Sequence, residues 1–215
     1  MNFWYRAGRL LAIIMMGIFG RIEVAGRENV PPFGPLIVAP NHLSNADPPL
    51  VSTVFDRPVW FMGKRSLFSN PVTSYFLRGF HVYPVKRDGR DVDAVHWSMD
   101  MLERDQVMVV FPEGTRSPGT LMEGTDGATY LALKSHAPLL PVAITGTQHI
   151  RGFLRIAFPF CKIKVVIGQP YTLPGVEGAL SKEVLHSLTR DLMQRIAVLL
   201  PPEYRGVYGK ATTVR

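Results

Sequence analysis

The sequence of 215 residues contains one cysteine, Cys161. A single cysteine excludes an internal disulfide bond and a zinc site built on several cysteines, and it is consistent with a reducing compartment. Cys161 lies in an apolar stretch, so we expect a packed side chain there rather than a reactive thiol. The six histidines show no metal-ligand spacing, and no metal site is therefore predicted.

A hydrophobic run long enough to cross a bilayer is also lacking, since about 20 consecutive apolar residues are needed. The longest nearly uninterrupted run covers residues 10–19 and lies between Arg9 and Arg21. No small-residue cleavage site of a signal peptide follows it. Drawn as a helix, this segment has Asn2, Arg6 and Arg9 on one face. The opposite face consists of Phe3, Trp4, Ala7, Leu10, Leu11, Ile14 and Ile18.

This N-terminal pattern predicts a helix that lies in the membrane interface, with Trp4 and Tyr5 at the level of the headgroups and the arginines near anionic phosphates. The alternative is a helix packed on the core of the domain. The second half of the segment is apolar on all sides, and this favours the membrane.

Positive charge exceeds negative charge, with 24 Lys and Arg against 17 Asp and Glu and a formal net charge of +7. A basic surface favours nucleic acid, anionic lipid or a phosphorylated ligand as the partner. Charge alone leaves nucleic acid open. Because the basic residues form no stripe with base-reading signatures, we expect no nucleic-acid partner.

Short apolar runs rich in β-branched residues alternate with segments of helical periodicity, which predicts an α/β fold with a layered, mixed central sheet flanked by helices. Residues 1–20 are predicted to be a membrane-associated helix, residues 21–201 one domain, and residues 202–215 a loosely held basic tail. Strands are expected at residues 35–39, 59–62, 81–85, 107–111, 139–145 and 162–167, and helices at 47–55, 69–78, 91–104, 124–136 and 179–200.

A histidine and a carboxylate follow the predicted strand at residues 35–39. His42 and Asp47 are five residues apart and do not share a helix face, so they can meet only if the chain bends at the turn-forming residues 44–46. A carboxylate beside a histidine fixes the imidazole tautomer and leaves the other nitrogen to accept a proton. The alternative is that Asp47, which precedes Pro48, only caps a helix and that His42 is a loop residue.

A second candidate segment, residues 111–117, has the sequence Phe-Pro-Glu-Gly-Thr-Arg-Ser and follows another predicted strand. Its small residues let the backbone approach a ligand and present N–H groups to an anion. Arg116 adds guanidinium donors that match phosphate oxygens, although the segment alone is equally an ordinary turn with a solvated arginine. Lys64 and Arg87 also close strands, and open α/β sheets bind ligands at such an edge.

With these residues the chain resembles the glycerolipid acyltransferases of the bacterial 1-acylglycerol-3-phosphate acyltransferase type. The family's first motif, an Asn-His pair with an Asp five residues after the His, matches Asn41, His42 and Asp47. Its third motif, Phe-Pro-Glu-Gly-Thr-Arg-Ser, is intact at residues 111–117. These two motifs together are highly specific, and the resemblance covers roughly residues 20–170.

The family's second and fourth motifs are weaker signals. The second, an arginine that closes a strand after a glycine, matches Gly79 and Arg87. Pro-Val-Lys-Arg stands at residues 84–87, where the family more usually has an apolar residue, Asp and Arg. The fourth motif, a proline within an apolar strand, matches Pro141.

The resemblance implies that residues 21–201 form a glycerolipid acyltransferase domain. Its reaction would move a fatty acyl group from acyl-CoA or acyl carrier protein to the sn-2 hydroxyl of 1-acylglycerol-3-phosphate (lysophosphatidic acid). The product would be phosphatidic acid, for phospholipid biosynthesis. The resemblance implies no metal and no cofactor beyond the acyl-CoA or acyl carrier protein. With the N-terminal helix, we expect the enzyme on the cytoplasmic face of the membrane, as a monotopic or peripheral protein.

The same resemblance implies a role for each matched residue. His42 would be the general base that deprotonates the acceptor hydroxyl, and Asp47 would orient it. Lys64 would lie near the reacting carbonyl or the phosphate. The other five histidines are expected to be ordinary structural or exposed side chains. The predicted contacts with the substrate are Arg87, Glu113, Gly114, Thr115, Arg116 and Pro141, all but the last with the glycerol phosphate of the acceptor.

Three alternatives stay open. The same chemistry acts equally well on another lysophospholipid or on glycerol-3-phosphate, because nothing in the sequence specifies the headgroup. A phosphoester hydrolase would use His42 as nucleophile and the arginines as a phosphate clamp. A non-catalytic peripheral membrane protein would only bind anionic lipid, and it would keep its function after the substitution His42→Ala.

Overall fold

The computed structural model describes residues 3–86, 91–150, 152–175 and 180–209. In this part of the chain the apolar runs form one sheet of seven strands. These are β1 (Arg21–Ala25), β2 (Leu36–Pro40), β3 (Val59–Lys64), β4 (Val82–Val85), β5 (Val107–Val109), β6 (Leu139–Thr145) and β7 (Lys162–Ile167). Their order across the sheet is β1-β7-β6-β2-β5-β3-β4.

Five neighbouring strands of this sheet, from β6 across to β4, run parallel to one another. Strand β7 pairs antiparallel with β6, and β1 pairs parallel with β7, so the sheet is mixed as predicted. In the central strand β2, Ile37 lies opposite Leu139 of β6 and Met108 of β5. Because these five strands are parallel, their carboxyl ends share one edge of the sheet.

Helices connect the strands at the places where the sequence carries start signals. Asn70 caps one helix by accepting hydrogen bonds from the backbone N–H groups of Val72 and Thr73, and Ser181 caps another through Val184. Proline follows the first of these caps directly, at a position where its missing N–H costs nothing. The helices are α1 (Phe3–Phe19), α2 (Asp47–Val54), α3 (Pro71–Gly79), α4 (Val92–Glu103), α5 (Gly127–Ser135), α6 (Phe153–Ala157) and α7 (Lys182–Leu199).

The core consists of two apolar layers, one on each face of the sheet, because alternate residues of a strand point in opposite directions. Leu36 and Val38 of β2 belong to the layer shared with α1 and α2. Ile37 and Ala39 belong to the layer shared with α4, α5 and α7. The predicted layered α/β fold is therefore confirmed.

The N-terminal helix α1 is fixed to the domain by one face. Tyr5 and Met16 are buried, and the hydroxyl of Tyr5 accepts a hydrogen bond from the backbone N–H of Val59. The guanidinium of Arg9 donates to the carbonyl oxygens of Ser52 and Phe55. The boundary predicted at residue 20 therefore does not separate two cores, and the alternative of a packed helix describes this face.

The opposite face of α1 remains exposed and carries the apolar residues grouped from the sequence. Phe3 is 74% exposed and Ile18 is 68% exposed, with Leu10, Leu11 and Ile14 between them also exposed. Within the described ranges, no helix is both long enough and apolar enough to span a membrane. The contact of α1 with a membrane interface stays a prediction.

Two features at the ends of the domain are not predicted from the sequence. Strand β1 is not predicted, because it is a five-residue edge strand whose polar and apolar residues alternate and which lies directly after an apolar helix. Residues 202–209 are not loosely held, since they form two short 3₁₀ turns, Pro202–Tyr204 and Gly206–Tyr208. The hydroxyl of Tyr204 accepts a hydrogen bond from Gln148, and that of Tyr208 accepts one from the backbone N–H of Gly124. Residues 210–215 lie outside the described residues.

Folding buries the ring of His81 and lowers its pKa. Its ring lies between those of Tyr5 and Trp60, with centroid distances of 4.1 Å and 3.9 Å, and its side chain is buried. Its φ of 61° keeps it out of the strand predicted from residue 81, which starts at Val82. Burial lowers the pKa of His81 from 6.5 to about 4.

We expect this burial to make the folded protein sensitive to acid. Between pH 6.5 and about 4 the unfolded chain binds a proton at His81 that the folded protein excludes. The free energy of unfolding therefore has its full value above pH 6.5. It decreases by about 3 kcal/mol as the pH falls towards 4, at about 1.4 kcal/mol per pKa unit. Urea unfolding across this pH interval measures the loss.

The variant His81→Phe keeps an aromatic ring in the stack but does not titrate. We expect its free energy of unfolding to fall less than that of the wild type over the same pH interval. His96→Phe, at an exposed position of α4, is the matched control and should behave as the wild type. Equal losses in His81→Phe and wild type would exclude His81 as the source.

Candidate active site

The predicted site residues follow strands whose carboxyl ends share one edge of the sheet. His42 follows β2, residues 111–117 follow β5, Lys64 ends β3, and residues 146–150 follow β6. These four strands are parallel. The topology therefore brings segments that are far apart in the sequence to a single surface, where open α/β sheets bind their ligands.

His42 and Asp47 form the hydrogen-bonded pair that their spacing predicts. The Nδ1 atom of His42 lies 2.8 Å from Oδ2 of Asp47, whose side chain is fully buried. Because an ionised carboxylate only accepts hydrogen bonds, Nδ1 carries the proton and Nε2 presents a lone pair. The ring of His42 lies against Phe111 at a centroid distance of 4.1 Å, and its side chain is 14% exposed. This is the arrangement of an oriented general base.

Asp47 is not the helix cap that the alternative interpretation assigns to it. Asp47 is the first residue of α2, and the N-cap position is occupied by Ala46, which makes no side-chain cap. The Oδ2 atom of Asp47 instead accepts the backbone N–H groups of Leu43 and Ser44, both at 2.7 Å. The carboxylate thus closes the turn that carries His42 as well as orienting the imidazole.

The backbone of His42 is held from two further directions. Asn41, the first residue of its motif, donates from Nδ2 to the carbonyl oxygen of Ile144 at 2.9 Å and accepts from the N–H of Ile144 at 2.6 Å. The backbone N–H of Ser117 donates to the carbonyl oxygen of His42 at 2.8 Å. The first and third motifs are therefore joined directly, and a bonded histidine backbone favours a single position of the ring.

Glu113 binds the same loop through both of its oxygens. Its Oε1 accepts the backbone N–H of His42 at 2.7 Å, and its Oε2 accepts that of Met122 at 2.9 Å. The side chain is buried, and burial raises the pKa of Glu113 against the lowering effect of the two N–H donors. The contact of Glu113 with the acceptor phosphate stays a prediction, whereas these hydrogen bonds give it a position-holding function for His42.

We expect Glu113→Gln to lower turnover through the position of His42. The amide nitrogen of glutamine cannot accept, so one of the two backbone N–H groups would lose its partner, at a cost of about 1–3 kcal/mol. A displaced base is expected to lower kcat by about 10–100-fold with little change in KM for the acceptor. Steady-state kinetics with varied acceptor concentration separate the two parameters.

The matched control for Glu113→Gln is Glu123→Gln, which removes the same charge at an exposed position nearby. We expect wild-type kinetics for this control. If Glu113→Gln changed only the KM for the acceptor, in either direction, Glu113 would contact the acceptor directly. This result would contradict the position-holding function.

A cleft of about 420 Å³ lies beside the His42–Asp47 turn, between residues that follow β2, β5 and β6. Its lining combines the polar side chains of Arg116 and His149 with the apolar side chain of Ile156 from α6. A cavity lined by both cationic and apolar side chains suits an amphiphilic anion. The lining residues are Leu43, Ser44, Asn45, Arg116, Ser117, Pro118, Gln148, His149, Ile150, Gly152 and Ile156.

The remaining predicted site residues have different positions. Gly114 has a φ of 67°, a conformation that favours glycine and turns the chain between Glu113 and Thr115. Thr115 and Arg116 are exposed, as is Lys64 at the end of β3. These exposed side chains are available to a ligand at the sheet edge. Their contact with substrate stays a prediction.

Two predicted residues do not join this group. Arg87 lies outside the described residues. Pro141 is buried inside β6, opposite Ala39, and its carbonyl oxygen accepts the N–H of Gly168 at 2.9 Å. This position is four residues before the carboxyl end of β6, so Pro141 contributes to the sheet. Its contact with substrate also stays a prediction.

Some residues that line the cleft are not predicted from the sequence. His149, expected to be an ordinary histidine, shares the cleft with Arg116, and so does Gln148. The Nε2 atom of Gln148 donates to Tyr204, which docks the C-terminal turns near the cleft. The signal for both residues is that they follow the carboxyl end of a parallel strand, after the turn at Gly146.

The fold and the site define a class of enzyme. The ring of His42 is hydrogen-bonded to Asp47 through Nδ1, which leaves Nε2 to a hydroxyl that a substrate brings. The cationic cleft beside it suits an anionic substrate. The class that this arrangement fits is an α/β transferase, and the use of His42 as its base stays a prediction.

Comparison with known proteins specifies the family. The family model described as Acyltransferase matches residues 21–145, more than half of the chain, and the chain belongs to the acyltransferase family. The match includes both segments that meet at the site, the one with His42 and Asp47 and the one with Glu113 and Arg116.

Individual relatives agree with this family. The 1-acyl-sn-glycerol-3-phosphate acyltransferase of Bacillus subtilis is 26% identical over 187 residues, which cover 86% of this chain and 92% of that protein. A chloroplastic enzyme of the same description from Brassica napus is 30% identical over 69% of this chain, and the match spans 44% of the plant protein. The crystal structure of PlsC, the 1-acyl-sn-glycerophosphate acyltransferase of Thermotoga maritima, is similar with a TM-score of 0.69 at 25% identity. It covers 91% of this chain and 78% of that one. The predicted resemblance is confirmed.

Proposed function

We propose that the protein transfers a fatty acyl group to the sn-2 hydroxyl of 1-acylglycerol-3-phosphate and so forms phosphatidic acid. The donor is a thioester of coenzyme A or of acyl carrier protein. The observation that carries the proposal is the His42–Asp47 pair beside the cationic cleft, in a chain whose relatives are described as acyltransferases of this acceptor.

The reaction needs one base and no protein nucleophile. The Nε2 atom of His42 takes the proton of the sn-2 hydroxyl as the hydroxyl oxygen attacks the carbonyl carbon of the thioester. The imidazolium that forms is stabilised by the buried carboxylate of Asp47, 2.8 Å from Nδ1. When the tetrahedral intermediate collapses, the carbon–sulfur bond breaks and the thiolate receives the proton. The ester bond is then complete and His42 is neutral again.

Binding of the acceptor follows from the side chains that line the cleft and the sheet edge beside it. Arg116 offers a fork of N–H donors for the phosphate, and Lys64 adds a positive charge at the same sheet edge. The backbone around Gly114 and Thr115 lies beside Arg116. The apolar side chains of Leu43 and Ile156 line the part of the cleft that would receive the start of the acyl chain. We retain Arg87 as a further phosphate ligand on the basis of its motif.

We place the protein at the cytoplasmic face of a membrane, as a peripheral or monotopic protein. The support is the exposed apolar face of α1, on a helix whose other face is part of the core. An enzyme that lies in the interface takes its acceptor from the lipid layer and its donor from the aqueous side. A single cysteine is consistent with a reducing compartment.

The experiment is transfer of labelled oleoyl from coenzyme A in detergent micelles to three acceptors offered separately. These are lysophosphatidic acid, lysophosphatidylcholine and monooleoylglycerol, which lacks the phosphate. We expect labelled phosphatidic acid as the main product and little transfer to the acceptor without phosphate. Oleoyl-acyl carrier protein replaces coenzyme A in a parallel series. Transfer to none of the acceptors from either donor would refute the proposal.

A further inference from the structure

We propose that the protein binds an anionic bilayer through three segments that form one continuous surface, not through α1 alone. The three-segment face consists of residues 3–19 (α1), residues 64–80 (which include α3) and residues 152–162. It deepens the proposed membrane location of the enzyme and rests on it. The lipid it fits is an anionic phospholipid in a bilayer, recognised by its charge and its acyl chains.

Aromatic contacts join α1 to α3 at one end of this face. The ring of Trp4 lies 5.8 Å from that of Tyr75 and 5.9 Å from that of Phe76, both in edge-to-face geometry. The indole nitrogen of Trp4 donates to the hydroxyl of Tyr75 at 2.9 Å. A side chain at Gly79 would come within 3.1 Å of the Cβ of Trp4, so the two helices touch closely there. Their exposed faces are therefore one surface.

Aromatic contacts also join α1 to residues 152–162 at its other end. The ring of Phe19 lies 4.9 Å from that of Phe158 and 5.3 Å from that of Phe160. The guanidinium of Arg155 lies over the ring of Phe160 at 5.7 Å. Phe160 has a φ of 42°, which places this aromatic residue at a tight bend. The surface thus continues past the C-terminus of α1.

Several apolar side chains of the two added segments are exposed. Val72 is 63% exposed and Phe160 is 61% exposed, and Leu67 and Tyr75 are exposed by more than half. Single exposed apolar residues are normal on a soluble protein, whereas a contiguous apolar surface marks an interaction site. The aromatic contacts above make this surface contiguous with the exposed residues of α1.

The charge of the three-segment face favours binding to an anionic surface. The three segments contain none of the 17 acidic residues of the chain. They contain seven of its 24 lysines and arginines. Arg9 is bound to the domain through the carbonyl oxygens of Ser52 and Phe55, and the other six are Arg6, Lys64, Arg65, Arg78, Arg155 and Lys162. Acidic residues outside the segments approach three of these basic residues. Glu23 pairs with Lys162, the exposed Asp56 lies 3.9 Å from Arg9, and Asp91 interacts electrostatically with Arg65. Aromatic and aliphatic side chains among basic ones are typical of interfacial membrane contact.

The test changes only exposed residues that carry no part of the proposed chemistry. One variant combines Leu67→Ser and Val72→Ser in the second segment. The other is Phe160→Ser in the third segment. Matched controls outside the face are Val198→Ser on α7 for the aliphatic pair and Phe33→Ser for the aromatic residue, both exposed. Deleting α1 is avoided because Tyr5 and Met16 are part of the core.

Sedimentation of the full chain with vesicles is the measurement. One set contains phosphatidylcholine and phosphatidylglycerol, and the other contains phosphatidylcholine alone. We expect binding to the mixed vesicles that weakens as salt rises. Each variant of the face should partition about tenfold less, and the controls should partition as the wild type. Variants that sediment like the wild type would overturn the proposal and assign the face to a protein partner.

Acyl transfer in detergent micelles separates this proposal from the proposed function. We expect the face variants to keep the micellar rate, since they change neither His42 nor the cleft. If the wild type binds mixed vesicles through the face but transfers no acyl group, the lipid-binding surface stands and the reaction does not. If transfer is intact and the variants bind vesicles normally, the reaction stands and the three-segment face is refuted.

Discussion

His42→Ala is expected to lower the turnover number of acyl transfer by about 10²–10⁴-fold, the usual contribution of a positioned general base. The variant loses the atom proposed to take the proton, Nε2 of a ring whose other nitrogen is bound to Asp47. The KM for the acceptor should change little, because the phosphate is assigned to the cleft that contains Arg116. The cationic cleft would still bring the two substrates together, which accounts for a residual rate.

The measurement for His42→Ala is transfer of labelled oleoyl to lysophosphatidic acid, beside circular dichroism and thermal unfolding to confirm the fold. His96→Ala removes an exposed histidine from α4 and should keep the wild-type rate. A near-normal turnover of His42→Ala would exclude His42 as the general base and require another group to take the proton.

Much of the fold is predictable because the strands of a buried parallel sheet are short apolar runs. Strands β6 and β7 are predicted with the bounds that the structure gives them. The edge strand β1 escapes prediction because its side chains alternate and its pairing with β7 joins residues far apart in the chain. The C-terminal turns escape for a similar reason, since their partners Leu121 and Gln148 are distant in sequence.

The contacts of the site residues differ in the same way: those between residues close in sequence are predictable, and those between distant segments are not. The bend that joins His42 and Asp47 is predictable, because five residues and a turn-forming sequence leave one way for the pair to meet. The bonds of Glu113 are not, since its partners His42 and Met122 come from different segments. A motif gives a residue type at a position, whereas the direction of a carboxylate depends on which backbone N–H groups the fold leaves without partners.

His149 shows the same limit. As one histidine in a turn, it carries no pattern that separates it from the exposed histidines of the chain. Its place beside Arg116 follows from the parallel pairing of β2 with β6, which brings residues 146–150 to the edge where His42 lies. Strand order is therefore the information that converts a list of candidate residues into a site.

Asp47→Asn is expected to cost almost as much turnover as His42→Ala, about 10²–10⁴-fold, because Asp47 acts through His42. The Oδ2 atom of Asp47 makes all three contacts, with Nδ1 of His42 and with the backbone N–H groups of Leu43 and Ser44. An amide oxygen in its place still accepts these three groups, so the turn is expected to persist. It carries no negative charge, however, and no longer stabilises the imidazolium that forms when Nε2 takes the proton. The double variant is the decisive measurement. If the carboxylate works only by orienting the imidazole, His42→Ala with Asp47→Asn should be no slower than His42→Ala alone. Additive losses would give Asp47 an independent function and refute the base-orienting role assigned to this pair.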